Sequence, residues 1–171
     1  MTITVFKSLL PLATMRKWAL LAALLVCSPT AFAIEVGDTL IIDQLVTIDG
    51  ETIDRSVLKD KHLVVQVWAT WCPYCHRQNM NLIELANRTE DLPLKIIALS
   101  VDRDADDVRA YAKDHGINFA MAMMTPALDE AIGKRRGVPE LYVVDPSGTV
   151  VQKDWGQMVD LDVFDLADYA K

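Results

Sequence analysis

Two cysteines separated by Pro-Tyr, in the run Trp71-Cys72-Pro73-Tyr74-Cys75, directly follow the apolar stretch Leu63-Val-Val-Gln-Val-Trp-Ala69. The arrangement reads as a dithiol at the junction between a strand and a helix, and its chemistry is thiol-disulfide exchange. Cysteines three residues apart at a helix start lie on adjacent turns, close enough for their sulfurs to bond. The first is expected to face solvent beside backbone N–H groups that have no partner inside the helix. Those groups and the positive end of the helix dipole favour a thiolate, the species that attacks a disulfide. Pro73 suits the first helical turn, where its missing N–H costs nothing. Cys72 is therefore the expected attacking thiol and Cys75 the resolving one.

The competing reading is half of a zinc site, which needs about four ligands. The other cysteine, Cys27, falls in a segment expected to be removed. His62, His76 and His115 are scattered without a second Cys-x-x-Cys. A single Cys-x-x-Cys after a strand is the redox pattern and a paired one the zinc pattern, so no metal is expected.

Met15-Arg16-Lys17, the apolar Trp18–Val26 and Ala31-Phe32-Ala33 make the three parts of a secretory signal, with cleavage expected after Ala33. Met15 is itself a sensible initiator, so residues 1–14 are either an over-long start or an extended basic region. An uncleaved membrane anchor is the first alternative, although the apolar stretch is short for a span and Ser28-Pro29 breaks it. A lipid anchor on Cys27 is the second. In every case the domain faces outside the cytoplasm, so a periplasmic location is expected. Removal of 1–33 takes away Lys7, Arg16 and Lys17 and no acidic residue, moving the formal charge from −7 to −10. Such an acidic chain disfavours nucleic acid and anionic membrane surfaces as partners.

Residues 34–171 suit one domain with its own core. Strand-like and helix-like patterns alternate along them, which argues an α/β sandwich on a central sheet. Leu40–Ile48 and Glu51–Ile53 flank Asp49-Gly50, a hairpin turn signal, and Ser56–Lys59 reads as a helical turn. Leu63–Ala69 has the near-continuous apolar run of a central strand covered on both faces, followed by a helix over Pro73–Arg88. Leu94–Val101 is the next strand. Asp104 is the expected N-cap of a helix through His115 that Gly116 stops. A short strand at Phe119–Met123, a helix at Pro126–Ile132, strands at Leu141–Asp145 and Thr149–Lys153, and a last helix capped by Asp160 complete the order.

Val67-Trp-Ala-Thr-Trp-Cys-Pro-Tyr-Cys75, Gly137-Val-Pro-Glu140 and Asp145-Pro-Ser-Gly-Thr-Val-Val151 resemble the thioredoxin fold. More narrowly they resemble the TlpA/ResA/DsbE-like periplasmic thiol-disulfide oxidoreductases. The resemblance spans nearly all of 34–171. It implies a mixed central sheet with helices on both faces, an N-terminal β-hairpin and an inserted βαβ element over Leu94–Met124. It also implies a cis-proline at Pro139 opposite the dithiol, with Val138 presenting backbone groups to a substrate strand and Trp71 beside it. Members usually reduce extracytoplasmic cysteines, for example in cytochrome c maturation, and are recharged by a membrane thiol-electron carrier. No cofactor beyond the redox-active disulfide is implied.

Two departures from the pattern carry chemistry. Gln66 stands where thioredoxins proper carry a buried Asp, and Gln78 stands three past Cys75 where several members carry a Glu; neither can accept a proton. A buried resolving thiol needs help to deprotonate, and the nearest candidates are Glu140 and His76. Their plainer readings are a solvated strand residue and a first-turn surface residue. Pro73 and Tyr74 between the cysteines also resemble glutaredoxins and DsbG-type proteins, which leaves a disulfide-donating oxidase as the serious alternative in direction. Met121, Met123 and Met124 invite a copper-delivery reading, but strand alternation explains them. A thiol peroxidase would place its cysteine in a different motif. Lys134-Arg135-Arg136 either rims the site or forms a solvated helix end.

Overall fold

The computed structural model describes residues 33–171, and these fall in one compact unit. The expected secretory segment, Cys27 and Met15 lie outside the described residues. Strand β3 (His62–Trp68) is central in a five-stranded sheet, as its unbroken apolar run predicts. On one side lies β4 (Leu94–Ser100), parallel to it, followed by β5 (Ala120–Met123), also parallel. On the other lie β6 (Glu140–Val144) and β7 (Val150–Trp155), both added antiparallel to their neighbours. The two parallel links are made by α2 (Pro73–Arg88) between β3 and β4 and α3 (Ala105–His115) between β4 and β5. The sheet is therefore mixed, with helices on both faces.

Strand alternation assigns the two faces. Val65 and Val67 of β3, Ile97 and Leu99 of β4, and Tyr142 and Val144 of β6 pack with Leu128 and Ile132 of α4 (Pro126–Ile132) and with Ile34, Leu40 and Ile42. On the opposite face Val64, Ile96, Leu141 and Val143 pack with Leu82 and Leu85 of α2 and with Val163 of α5 (Asp160–Asp165) and Leu166 of the 3₁₀ turn that follows. A third cluster on that second face holds Trp68, Cys72, Cys75, Ala98, Val108, Tyr111 and Met121. The dithiol thus sits on the face covered by α2 and α3.

The N-terminal hairpin is shorter than its sequence pattern predicts. Only β1 (Gln44–Val46) and β2 (Thr52–Asp54) pair, followed by the one-turn helix α1 (Arg55–Leu58). Leu40 is drawn away from that ladder because its N–H donates to the Gly148 carbonyl at 2.8 Å while its side chain enters the core. Gly148 adopts φ +95°, and a Cβ there would come within 3.2 Å of Ile41, so this turn requires glycine. The hairpin loop covers the edge of β5 instead: Thr47 bridges Ala122, and the Ile48 N–H donates to the Met121 carbonyl at 2.8 Å. That arrangement protects an otherwise open sheet edge.

Asp104 caps α3 by accepting from the Asp106 N–H, and Gly116 ends it in the left-handed region. Asp160 differs from its expected role. Val159 is the N-cap of α5, and Asp160 sits one position inside, where its carboxylate holds Arg77 at 3.3 Å and Asn81 at 2.8 Å on α2. Those bonds keep it below the usual carboxylate range.

Leu82, fully buried between α2 and the sheet, carries the helix that presents the dithiol. Leu82→Ala is expected to cost about 2–5 kcal/mol in urea unfolding, while Leu92→Ala on the exposed loop should stay within about 0.5 kcal/mol. Equal effects at the two positions would sink this account of how α2 is anchored.

Candidate functional site

Cys72 ends the turn that leaves β3 and is the N-cap of α2, with Pro73 in the first helical position. As N-cap its sulfur accepts a hydrogen bond from the Cys75 N–H at 3.2 Å, a backbone donor that would favour a thiolate at that atom. The loop before it is pinned from the neighbouring strand. Asp102, just past β4, accepts from the Thr70 N–H at 2.9 Å and from the Thr70 hydroxyl at 2.7 Å, while the Ser100 hydroxyl donates to it at 2.6 Å. This carboxylate holds the loop two residues from the Cys72 sulfur.

Across from Cys72 lies the Val138–Pro139 bond, which is cis. The Cys72 thiol lies 3.5 Å from the Val138 carbonyl oxygen, and the Pro139 carbonyl accepts from the Gly156 N–H at 2.9 Å, tying this loop to the end of β7. Cys72 does not face solvent as expected: it is 4 % exposed, because the turn and the proline loop close over it. Cys75 is 0 % exposed. Burial, reinforced by the hydrogen bond with Cys72 and by its charge, pushes the Cys75 thiol well above the ordinary thiol range. Beside the dithiol, Trp71 and Tyr74 are 69 % and 63 % exposed. A groove of about 540 Å³ runs from Tyr74 and Arg77 past Val138 and Pro139 to Met158 and Val159.

The candidates for acid–base work separate. Glu140 is no solvated strand residue: it is 1 % exposed, and it lies on the α4 face with Tyr142, opposite the face that carries Cys75. Its carboxylate makes no hydrogen bond and lies 3.7 Å from the Lys153 ammonium, itself buried and bonded to the Ile34 carbonyl and Glu35. The alternation of β6, with Val67 as the β3 partner of Glu140, keeps it away from the dithiol. His76 is exposed, yet more than a surface residue, since its Nδ1 lies 3.0 Å from the Tyr111 hydroxyl. Gln66 and Gln78 are both fully buried and joined to each other. Met121 is buried in the thiol cluster, as strand alternation predicts. Arg135 pairs with Asp129, and the Arg136 guanidinium stacks 4.3 Å over Trp155, so the basic run is held in a loop rather than at a helix end.

A Redoxin family model matches residues 31–170. The chain belongs to the Redoxin family. This Redoxin chain is similar to the thiol:disulfide interchange protein DsbE of Vibrio cholerae, 28% identical over 113 residues that make up 64% of this chain and 58% of that protein. It is also similar to the thiol-disulfide oxidoreductase ResA of Bacillus subtilis, 24% identical over 123 residues, 72% of this chain and 69% of that one. The chain thus spans less than two thirds of the length of the DsbE protein. A solved thiol:disulfide interchange protein of the thioredoxin family from Chlorobium tepidum superposes with a TM-score of 0.70 at 26% identity, covering 82% of this chain and 99% of that one. The fold is thioredoxin-like.

Asp102, Asn79 and Tyr111 were not legible as site residues in the sequence. Asp102 had one usable signal, its place just past the strand next to β3, where carboxyl-terminal loops of a parallel pair converge. Asn79 and Tyr111 sit on helical positions that resemble any packed polar or aromatic residue.

The burial difference gives a direct test. Because the Cys75 thiol is raised, it stays protonated as pH passes the ordinary thiol value of about 8.5, and the folded reduced protein loses stability above that pH as the unfolded chain ionises instead. Iodoacetamide at pH 7 is expected to modify Cys72 first and Cys75 at least about tenfold more slowly, the gap closing in denaturant. Equal labelling in the folded protein would contradict the assigned order.

Proposed function

We propose that this chain is an extracytoplasmic thiol-disulfide oxidoreductase that reduces disulfides of substrate proteins with the Cys72/Cys75 dithiol. The observation that carries the proposal is the setting of Cys72. Its sulfur receives the Cys75 N–H and lies against the Val138 carbonyl, beside a cis-proline and an open groove. The DsbE and ResA names of the similar proteins support the same chemistry.

In this mechanism the Cys72 thiolate attacks one sulfur of a substrate disulfide lying along Val138–Pro139, with Trp71 and Tyr74 flanking it. A mixed disulfide forms and the first substrate thiolate leaves. Cys75 then loses its proton and attacks the Cys72 sulfur, releasing the second substrate thiol. Two electrons pass to the substrate, and the protein keeps a Cys72–Cys75 disulfide. A membrane thiol-electron carrier returns it to the dithiol. The secretory pattern ahead of Ile34 supports action outside the cytoplasm, and among the described residues no helix is long and apolar enough to cross a membrane. Cytochrome c maturation is the process this role fits.

One feature favours the opposite direction. Pro73-Tyr74 between the cysteines resembles proteins of other potentials, and a disulfide donor would use the same geometry. Equilibration in glutathione buffers separates the two: a potential near or below roughly −230 mV supports the reductant, and one near roughly −120 mV makes the chain a donor. Cys75→Ser is expected to trap a substrate protein on Cys72, and failure to isolate any such adduct would count against the mechanism.

A further inference from the structure

Lys134, Arg135 and Arg136 stand directly before the loop that faces the dithiol. Gly137 alone separates Arg136 from Val138, whose carbonyl oxygen lies 3.5 Å from the Cys72 sulfur. The three cations differ in what holds them. Arg135 is half-buried and pairs with Asp129. Arg136 is exposed, and its guanidinium lies 4.3 Å above the Trp155 ring. Lys134 is exposed as well, and among the described residues neither Lys134 nor Arg136 makes an ion pair. Asp129, Glu140 and Asp160, on elements that border the loop, are taken up by Arg135, by Lys153 and by Arg77 with Asn81. The loop that meets the substrate thus carries two uncompensated positive charges.

The two sides of the proline loop present different surfaces. On the α2 side runs the groove past Tyr74, Pro139, Met158 and Val159, tied to α2 by the Met158 N–H, which donates to Gln78 at 2.9 Å. On the other side stands Trp155. It is the ladder partner of Glu140, and opposed residues of an antiparallel pair share a face, here the face of Lys153, whose ammonium lies 5.1 Å from the Trp155 ring. The Gly156 N–H, donating to the Pro139 carbonyl at 2.9 Å, draws this end of β7 against the loop. A substrate strand that leaves the groove, sets its sulfur at Cys72 and follows residues 136–138 therefore runs beside Arg136. At about 3.3 Å per residue, the side chain that meets Arg136 is about two places from the attacked cysteine. The stack on Trp155 holds the guanidinium without using its N–H groups, which have no protein acceptor among the described residues and remain for a carboxylate. A side chain already held loses less freedom when it binds. The whole chain is acidic, −7 over its sequence, and repels such a partner from afar. That field is screened beyond about 8 Å at physiological salt, so the contact at the rim decides.

We propose that the rim formed by Lys134 and Arg136 selects acidic protein segments as substrates, with an Asp or Glu about two residues from the attacked cysteine seated against the Arg136 guanidinium. Lys134 adds to the local positive field. The proposal rests on the thiol-disulfide exchange assigned to Cys72 and Cys75, and it names the substrate class of that site. Arg136 acts in binding rather than on the reacting sulfurs. Its effect therefore falls on the concentration of substrate needed, with the limiting rate of exchange little changed.

The test uses the reduced full chain and three peptides, alike except that the residues two places before and two places after a single cysteine are Glu, Gln or Lys. Each peptide is the mixed disulfide with pyridinethiol. Cys72 attacks the peptide sulfur and releases pyridinethione, Cys75 displaces the peptide thiol, and the two thiol protons pass to the two products as the dithiol becomes a disulfide. Rates over one turnover, at increasing peptide concentration, are divided by the rate of the same peptide with dithiothreitol to remove its intrinsic reactivity. The Glu peptide is expected to react about tenfold faster than the Lys peptide at about 0.05 M salt, with Gln between, and about twofold or less faster at about 1 M. Arg136→Gln should cut the Glu-over-Lys ratio at least about threefold and Lys134→Gln about twofold. Lys59→Gln removes the same formal charge from an exposed position ahead of β3, at the end away from the dithiol, and should leave the ratio in place. Equal rates for the three peptides, a preference for Lys, or a Glu preference that both rim variants leave intact or that Lys59→Gln lowers equally would overturn the proposal. Release of no pyridinethione from any peptide would instead overturn the exchange chemistry, and the proposal with it.

Discussion

A thiol with no solvent exposure must lose a proton in order to react, and that constraint organises the site. Burying Cys75 under α2 protects it from adventitious oxidation and places it against Cys72, but the same burial disfavours its anion. The first thiol has help from the helix it caps: the Cys75 N–H reaches the Cys72 sulfur. No such donor is aimed at the second from the helix interior, where N–H groups are already paired to carbonyls one turn back. Backbone groups of Ala69 and of Cys75 itself ease its ionisation only in part, and burial outweighs them.

The buried network on the face that α2 and α3 cover is polar without being charged, with the Asp102 carboxylate at its edge beside Thr70. Gln66, Gln78 and Asn79 are fully buried, yet each finds a partner in the chain of bonds that leads to Tyr111. A carboxylate in the same place would be expensive to bury without a cation. The sheet carries its buried carboxylate on the other face, where Glu140 lies against Lys153. Lys153 in turn holds the Ile34 carbonyl and Glu35, so the ion pair fastens the N-terminal segment rather than the thiols.

Much of this was legible in the residues, and for identifiable reasons. The run from Leu63 to Ala69 is nearly continuous in apolar residues, Pro73 opens a helical pattern that runs to Arg88, and Asp104 and Gly116 bracket another helix, so the central strand and the two crossover helices fall where the pattern puts them. The cysteine pair carries a short motif that local spacing exposes, whereas the cis-proline followed from the resemblance alone. Errors arose where tertiary contacts outbid local signals. Leu40 and Ile42 look like hairpin residues but are drawn into the core, and Glu140 looks like an exposed strand acid until the pairing of β6 with β3 and β7 buries it. Asp102 acts on Thr70 across 32 positions of sequence, a separation that periodicity cannot reveal.

Polarity of the buried network is a property of the fold rather than of any one residue. Gln78 would be an ordinary helix side chain were Met158 not placed by the turn into α5, and it is the Met158 backbone N–H that decides which way every amide after it faces. The turn at Met158 is in turn held near α2 by Asp160, which grips Arg77 and Asn81 one helical turn apart. The groove beside Cys72 runs along the same residues, Met158 and Val159 included. The orientation of the amides beneath the dithiol therefore depends on the same turn of backbone that lines the groove.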